Sequence, residues 1–334
     1  MSSSRDVIVY HYSYSPYARR VIWYLNLRNI PFSECVQPPI MPRPDLKALG
    51  VSYRRIPIVA IGRNIYNDTR LILSKLDELF PPSAAHPALS PSTPEHRALA
   101  ALFSSSVTDG GLFGRCAILI PTSLPLFNDP KFTSDRAAMS GRPWSKAFLE
   151  RARPESLVEV RAAIAFLENG LLADGRKWIL NTPQVSSVDL EAVWPIHWVF
   201  AMPGAIPAEV ASKETFPKVF AWVDRFSAVV GEARKRNGKA KALKGFEAAE
   251  KIWGSEWAEK VKGVDERDPV GLKTGQEVLV HPTDSGVTHK DRGTLVGLDG
   301  EEIVIEVRTD KGTVRVHAPR HGFRVLAAQE ETKL

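Results

Sequence analysis

A polar turn, His11-Tyr12-Ser13-Tyr14-Ser15, separates a short apolar run, Val7 to Tyr10, from a stretch beginning at Pro16 in which Val21, Ile22 and Leu25 have helical spacing. A strand that ends in such a turn directs backbone amides and the positive end of a helix dipole at one spot, which stabilises an anion. Ser15 suits the first position, because a serine oxygen caps the first-turn amides and Pro16 is tolerated as the first helical residue. Its hydroxyl can donate to a bound anion, with Ser13 and Tyr14 as rivals for that role; the plain alternative is that Ser15 only caps the helix. Two further places carry related chemistry. Arg54-Arg55-Ile56-Pro57-Ile58-Val59 sets a proline immediately before a strand, and Asn67-Asp68-Thr69 opens a helix after the next strand with a carboxylate and a hydroxyl.

Other reactive residue types lack partners at useful spacing. The two cysteines, Cys35 and Cys116, make no disulfide framework and no repeated Cys/His pattern for zinc, so no metal is expected and a reducing cytosol fits best. Cys116, with Phe103 and Phe113, falls where the second domain could line a pocket, but a lone cysteine is usually a small buried apolar residue. His197, between Trp194 and Trp198, reads as a core histidine. Arg234-Lys235-Arg236 with Lys239, Lys241 and Lys244 reads as a nuclear-localisation pattern or as a solvated helix end.

These residues need elements to position them, and the chain is long enough for two or three domains at 334 residues. With 44% hydrophobic and 25% charged residues it has ordinary globular composition. The net charge of +6 is concentrated early: residues 1–82 carry 11 lysines and arginines against 6 acidic residues, an excess suited to a small anionic ligand rather than to nucleic acid. The N-terminal stretch MSSSRDVIVYHYS lacks an apolar signal-like run, and the most apolar later run, Ala192 to Ala208, is broken by His197 and three prolines, so neither secretion nor a membrane span is expected.

Pro81 to Pro94, with five prolines, reads as an interdomain connection. Before it the order is strand, helix, strand, then strand, strand, helix, with strands at Phe32 to Val36, Ile58 to Ile61 and Ile65-Tyr66 and a last helix over about 68–80. From Glu95 to about Gly263 the signals are helical. Ser186-Ser187-Val188-Asp189 is a capping-box-like start for a buried helix, and the proline-containing stretch Ile118 to Trp144 reads as an irregular excursion placed to cover a pocket. Four β-rich runs, at 277–281, 293–297, 302–307 and 313–317, then predict a small antiparallel barrel of SH3-like kind. Its residues 270–334 carry 9 basic against 10 acidic side chains and no cationic stripe, which favours a structural or dimer-supporting role.

The first segment resembles the thioredoxin-like domain of the cytosolic glutathione transferases. Ser15-Pro16-Tyr17-Ala18-Arg19-Arg20-Val21 is similar to the active-site segment of the tau, zeta and omega classes, where a Ser or Cys lies five residues before an Arg-Val pair. The resemblance implies a cis Ile56-Pro57 step, with Ile56 presenting its backbone to the cysteinyl part of glutathione. It also implies that Asp68 and Thr69 hold the γ-glutamyl end, where many classes have Glu-Ser, and that Arg55 faces the glycyl carboxylate. A serine at position 15 implies a hydroxyl donated to the glutathione sulfur; thioltransferase and dehydroascorbate reductase activities, which use cysteine there, are not implied.

The resemblance covers residues 7 to 80 and, through the Ser186 to Asp189 box, the helical segment, but not 270–334. The implied architecture is an α/β thioredoxin-like glutathione-binding domain (1–82), an all-α electrophile-binding domain (95–263) and the barrel (270–328). A glutathione transferase with such an appended barrel resembles a group of fungal proteins, some tied to secondary metabolism. The implied activity is attack of the glutathione thiolate on a hydrophobic electrophile, by conjugation or through isomerisation, in a cytoplasmic homodimer with glutathione as co-substrate. The alternative is a non-catalytic glutathione-transferase-like binding or scaffold protein. Because every implied glutathione-site residue precedes position 70, a chain ending near Asp268 is expected to keep that site, but to lose stability or dimerisation if the barrel packs on the helical domain.

Overall fold

The fold is described from a computed structural model covering residues 6–90 and 93–329; residues 1–5 of the N-terminal stretch, 91–92 of the proline-rich connection and 330–334 lie outside the described part. The first elements are β1 (Val7–His11), α1 (Pro16–Leu27), β2 (Ser33–Val36), β3 (Ile58–Ile61), β4 (Asn64–Asn67) and α3 (Thr69–Leu79), in the order the sequence predicts, with one added short helix, α2 (Pro44–Ala48). β1 pairs in parallel with β2 and antiparallel with β3, which pairs antiparallel with β4. The strands are nearly continuous apolar runs because both sheet faces are covered. Val7, Val9, Val59 and Ile61 point into a core shared with the helices, whereas Ile8, Tyr10, Ile58 and Ala60 point into a second core on the other face.

The helical layer contains α4 (Pro94–Thr108), α5 (Leu112–Ile118), α6 (Pro130–Ser140), α7 (Lys146–Phe166), α8 (Ser187–Phe200) and α9 (Pro217–Asn237). At the head of α8, Asp189 reaches back to accept from the Ser186 amide at 3.0 Å, and its other oxygen accepts from the Ile179 amide and the Trp222 indole. The basic cluster Arg234, Lys235 and Arg236 occupies the last turn of α9, the end a helix dipole favours for cations. The stretch Ile118 to Trp144 is less irregular than its prolines suggest, because Pro130 opens α6 at a position where a helix tolerates proline. Its first residues, Ile118 and Ile120 to Ser123, help line a cavity of about 290 Å³ with Leu149, Arg153 and Gly204.

The sequence placed the helical layer as far as residue 263, but it stops at α9. The segment after it returns to the first domain: β5 (Lys241–Ala242) extends the sheet beside β2, and α10 (Gly245–Trp253) packs on α2.

The C-terminal region differs from the expected SH3-like barrel. It has five strands, β6 (Glu277–Pro282), β7 (Asp291–Leu298), β8 (Glu302–Thr309), β9 (Gly312–Pro319) and β10 (Phe323–Ala327), in the order β10-β6-β7-β8-β9, and the sheet does not close. Instead β9 pairs in parallel with β4, with Ile65 opposite Val316, so one ten-stranded sheet runs through the molecule. The reason is the exposed flank of β4: an edge strand offers unpaired amides and carbonyls, and β9 covers them.

A buried polar cluster fastens this junction. Lys75 Nζ donates to Glu259 at 2.6 Å and to Glu302 at 2.7 Å, and the Tyr66 hydroxyl donates to Glu259 at 2.7 Å. The Asn64 amide oxygen accepts from the Ala258 amide, so its nitrogen faces His317 Nε2 at 2.8 Å, and His317 Nδ1 lies 2.8 Å from a Glu302 carboxylate oxygen. Burial would raise the Glu302 carboxyl, but His317 and Lys75 hold it down at about 2.

Candidate functional site

Strand register brings the three turns singled out in the sequence to one end of the sheet. Tyr10 lies opposite Ile58, and Ile58 lies opposite Asn67. The residues that follow β1, precede β3 and follow β4 are therefore neighbours: the Tyr12–Ser15 turn, the Ile56-Pro57 step and Asp68-Thr69. The Ile56–Pro57 peptide is cis, and so is Met41–Pro42, which the sequence did not suggest.

Ser15 is the N-cap of α1, with its oxygen accepting from the Ala18 amide at 3.2 Å, and it is buried, whereas Ser13 and Tyr14 are exposed. Arg20, on the same helix and buried, donates to Thr69 Oγ1 at 2.6 Å and pairs with Glu191 of α8, so α1, the start of α3 and the helical layer are tied at this point. Asp68 caps α3 by accepting from the Arg70 amide at 3.0 Å and also pairs with the Arg70 guanidinium. Its φ of +67° is a conformation that a residue with a β-carbon rarely adopts, at a cost of about 1–3 kcal/mol. Such strain persists where the surroundings fix a side chain in place.

The wall on the helical side is aromatic. Tyr17 packs on Phe113 and on Trp194, each with ring centres 4.6 Å apart, and Phe113 stacks on Trp198 at 5.6 Å. Burial, and then the Asp68 carboxylate, push the Tyr17 phenol well above its ordinary range, so it stays a neutral hydroxyl. Phe113 thus stands beside the α1 turn. Phe103 is partly buried against the same core. Cys116, offered by the sequence as a pocket residue, is wholly buried, and burial pushes its thiol up to about 12, which removes it from thiolate chemistry. His197 lies edge-on to Trp23, and burial lowers it to about 4, as suits a core histidine. Tyr17, Trp194 and Trp198 were not singled out for this wall; aromatic residues at helical spacing read as ordinary core until the docking of α1 on α8 is known.

The C-terminal sheet reaches the site, which no sequence signal indicated. Asp291, at the start of β7, accepts from the amides of Ser52 at 2.6 Å and Tyr53 at 3.0 Å and from Asn67 Nδ2 at 2.9 Å, fixing the backbone just before Arg54 and the Asn67 side chain next to Asp68. Arg55 pairs with Asp284 in the β6–β7 loop, and Asp109 at the end of α4 accepts from both Arg70 and His321 of the β9–β10 turn. Glu259, Glu302 and His317 offer ligand atoms within 4.8 Å of one another, but the Lys75 ammonium already supplies positive charge there.

Burial pushes the Asp291 carboxyl up to about 6, against the three donors that favour its charge. The folded chain then holds a proton here that the unfolded chain has released between about pH 4 and 6, so this group's contribution is complete at low pH and declines as pH rises through 6, by up to about 3 kcal/mol. Asp291→Asn is expected to abolish that decline. The unpartnered Asn67 Oδ1 can turn to accept from the new amide. Urea midpoints of the two proteins from pH 4 to 8 test this; parallel curves would remove Asp291 as the source.

Comparisons with known proteins bear on the fold. Residues 9–84 match the family model of the glutathione S-transferase N-terminal domain, and residues 115–235 match a domain of unknown function (DUF7962). No curated protein matches the sequence. A GST-like protein from Pseudomonas syringae is 24% identical, with a TM-score of 0.69 over 97% of this chain and 99% of its own. A tau class glutathione S-transferase from mango, Mangifera indica, is 16% identical with a TM-score of 0.51 over 68% of this chain and 92% of its own. A beta-etherase from Sphingobium sp. strain SYK-6 is also 16% identical with a TM-score of 0.51, over 69% and 99%. The last two align over about two thirds of this chain, whereas the bacterial GST-like protein follows nearly its whole length. Among the described residues no helix is long and apolar enough to cross a membrane. The chain therefore has a glutathione-transferase-like fold, and its first domain matches the glutathione S-transferase N-terminal domain family.

Proposed function

We propose that this protein is a glutathione-dependent transferase that activates the glutathione thiol at the start of α1 for attack on a hydrophobic electrophile. The observation that carries the reading is the meeting, at one sheet end, of a serine-capped helix N-terminus, a cis Ile56–Pro57 step and the strained Asp68 with Thr69. The chemistry of each fits one part of the tripeptide. The thiol, with an ordinary pKa near 8.5, is mostly protonated at pH 7, and the Ser15 hydroxyl with the first-turn amides favours its thiolate. The backbone of Ile56 pairs with the cysteinyl unit, Asp68 and Thr69 hold the γ-glutamyl end, and Arg55 faces the glycyl end. The aromatic wall of Tyr17, Phe113 and Trp198, with Phe103 nearby, receives the electrophile. Addition, substitution and isomerisation through a transient adduct all begin with the same attack. We place the protein in the cytoplasm as a homodimer, in metabolism of the fungal secondary kind.

Calorimetry with reduced glutathione, followed by conjugation assays on a panel of electrophiles, tests this. Asp68→Ala is expected to weaken glutathione binding by about tenfold or more while changing the rate of the saturated enzyme far less, since the lost charge-assisted contact lies away from the sulfur. Unchanged affinity in the folded variant would remove Asp68 from the site. Binding without turnover of any electrophile would instead make the chain a glutathione-binding module.

A further inference from the structure

Arg55 is not waiting with a free guanidinium. The β6–β7 loop has brought it an anion from within the chain: Asp284 accepts from Nη2, and the Ser285 carbonyl accepts from Nη2 at 2.7 Å and from Nε at 3.2 Å. The loop is held at both ends. The Thr283 amide and hydroxyl both donate to the Gly322 carbonyl, at 3.0 and 3.2 Å, and the Gly286 amide donates to the Met139 carbonyl of α6 at 2.8 Å. Gly286 has a φ of +69°, and a β-carbon there would come within 2.9 Å of the Arg54 side chain, so the loop approaches as closely as glycine allows. Arg55 is largely buried, 18% exposed, whereas the Asp284 side chain is 68% exposed. The carboxylate thus meets the Arg55 fork from the solvent side.

We propose that Asp284 is a specificity-determining residue: its carboxylate takes the place on Arg55 that the glycyl carboxylate of glutathione would fill, so the site recognises γ-glutamyl-cysteinyl thiols regardless of the charge at their glycyl end. This rests on the glutathione reading above. The ligand class it names includes thiols whose terminal carboxylate is masked as an ester, as an amide or by a further residue. The Asp284 end of the pair is open to solvent, so free glutathione can displace it, but it gains little from doing so because one carboxylate replaces another on the same guanidinium.

The test is calorimetry on the whole chain and on Asp284→Ala, with reduced glutathione and with its glycyl monoethyl ester. The wild-type protein is expected to bind the two thiols within about twofold of each other. Asp284→Ala is expected to bind glutathione about tenfold more tightly than the wild type does, with the ester unchanged. If both thiols bind but the wild type already prefers glutathione about tenfold, and Asp284→Ala keeps that preference, this proposal is overturned and the glutathione reading stands. If neither thiol binds either protein, the glutathione reading falls and takes this proposal with it.

Discussion

Conjugation by Ser15→Ala is expected to be roughly 10 to 1000-fold slower than by the wild type, the range for losing one preorganised donor to a developing or resident anion. The Ser15 oxygen already accepts from the Ala18 amide, which leaves its own proton free to donate to sulfur. Alanine removes that proton, and the bound thiol titrates at higher pH. The rate deficit should therefore shrink as pH rises past the thiol's new pKa, a signature that general loss of structure would not give. Folding should lose about 1 kcal/mol with the cap. Ser13→Ala and Tyr14→Phe are the controls, since both residues are exposed in the same turn. A pH–rate profile of Ser15→Ala that overlays the wild type, with activity lost in Ser13→Ala, would transfer the role to Ser13.

Local signals carried the first domain well. The serine before Pro16 and the carboxylate before Thr69 each act within a few residues of themselves, as caps, and the structure has the matching caps; the cis Ile56–Pro57 step came from the family resemblance rather than from local signals. The alternating faces of β1 and β3 also follow from neighbouring residues. What the sequence concealed depends on long-range pairing. Nothing in Asn64-Ile65-Tyr66 announces that β4 will accept another strand some 250 residues later, because an edge strand and an inner strand of four residues read alike. The same holds for Asp291 and Asp284. One looks like a strand-start residue and the other like a turn residue, and only the docking of the C-terminal sheet aims them at Tyr53 and Arg55. The buried Arg20 belongs to both groups: its place in the motif was legible, while its pairing with Glu191, which joins the domains, was not.

A chain ending near Asp268 is expected to lose the glutathione site altogether, although Ser15, Ile56, Asp68 and Thr69 all remain in it. The cut removes the strand that covers β4 and leaves its amides and carbonyls exposed. It also opens the second core, where Ile8, Ile58 and Ile65 share one cluster with Val278, Ile305, Val314, Val316 and Phe323 of the removed strands. Each large apolar side chain returned to water costs about 1.5–3 kcal/mol, so a handful already matches the roughly 5–15 kcal/mol by which a domain is stable. Polar losses act in the same direction: Lys75 loses Glu302, and the Ser52 and Tyr53 amides that hold the loop before Arg54 lose Asp291. The truncated protein should aggregate or melt without a cooperative transition, and calorimetry should detect no glutathione binding. A monodisperse truncated chain that binds glutathione as the whole chain does would show that the sheet junction is dispensable and that the first domain holds its three turns in place unaided.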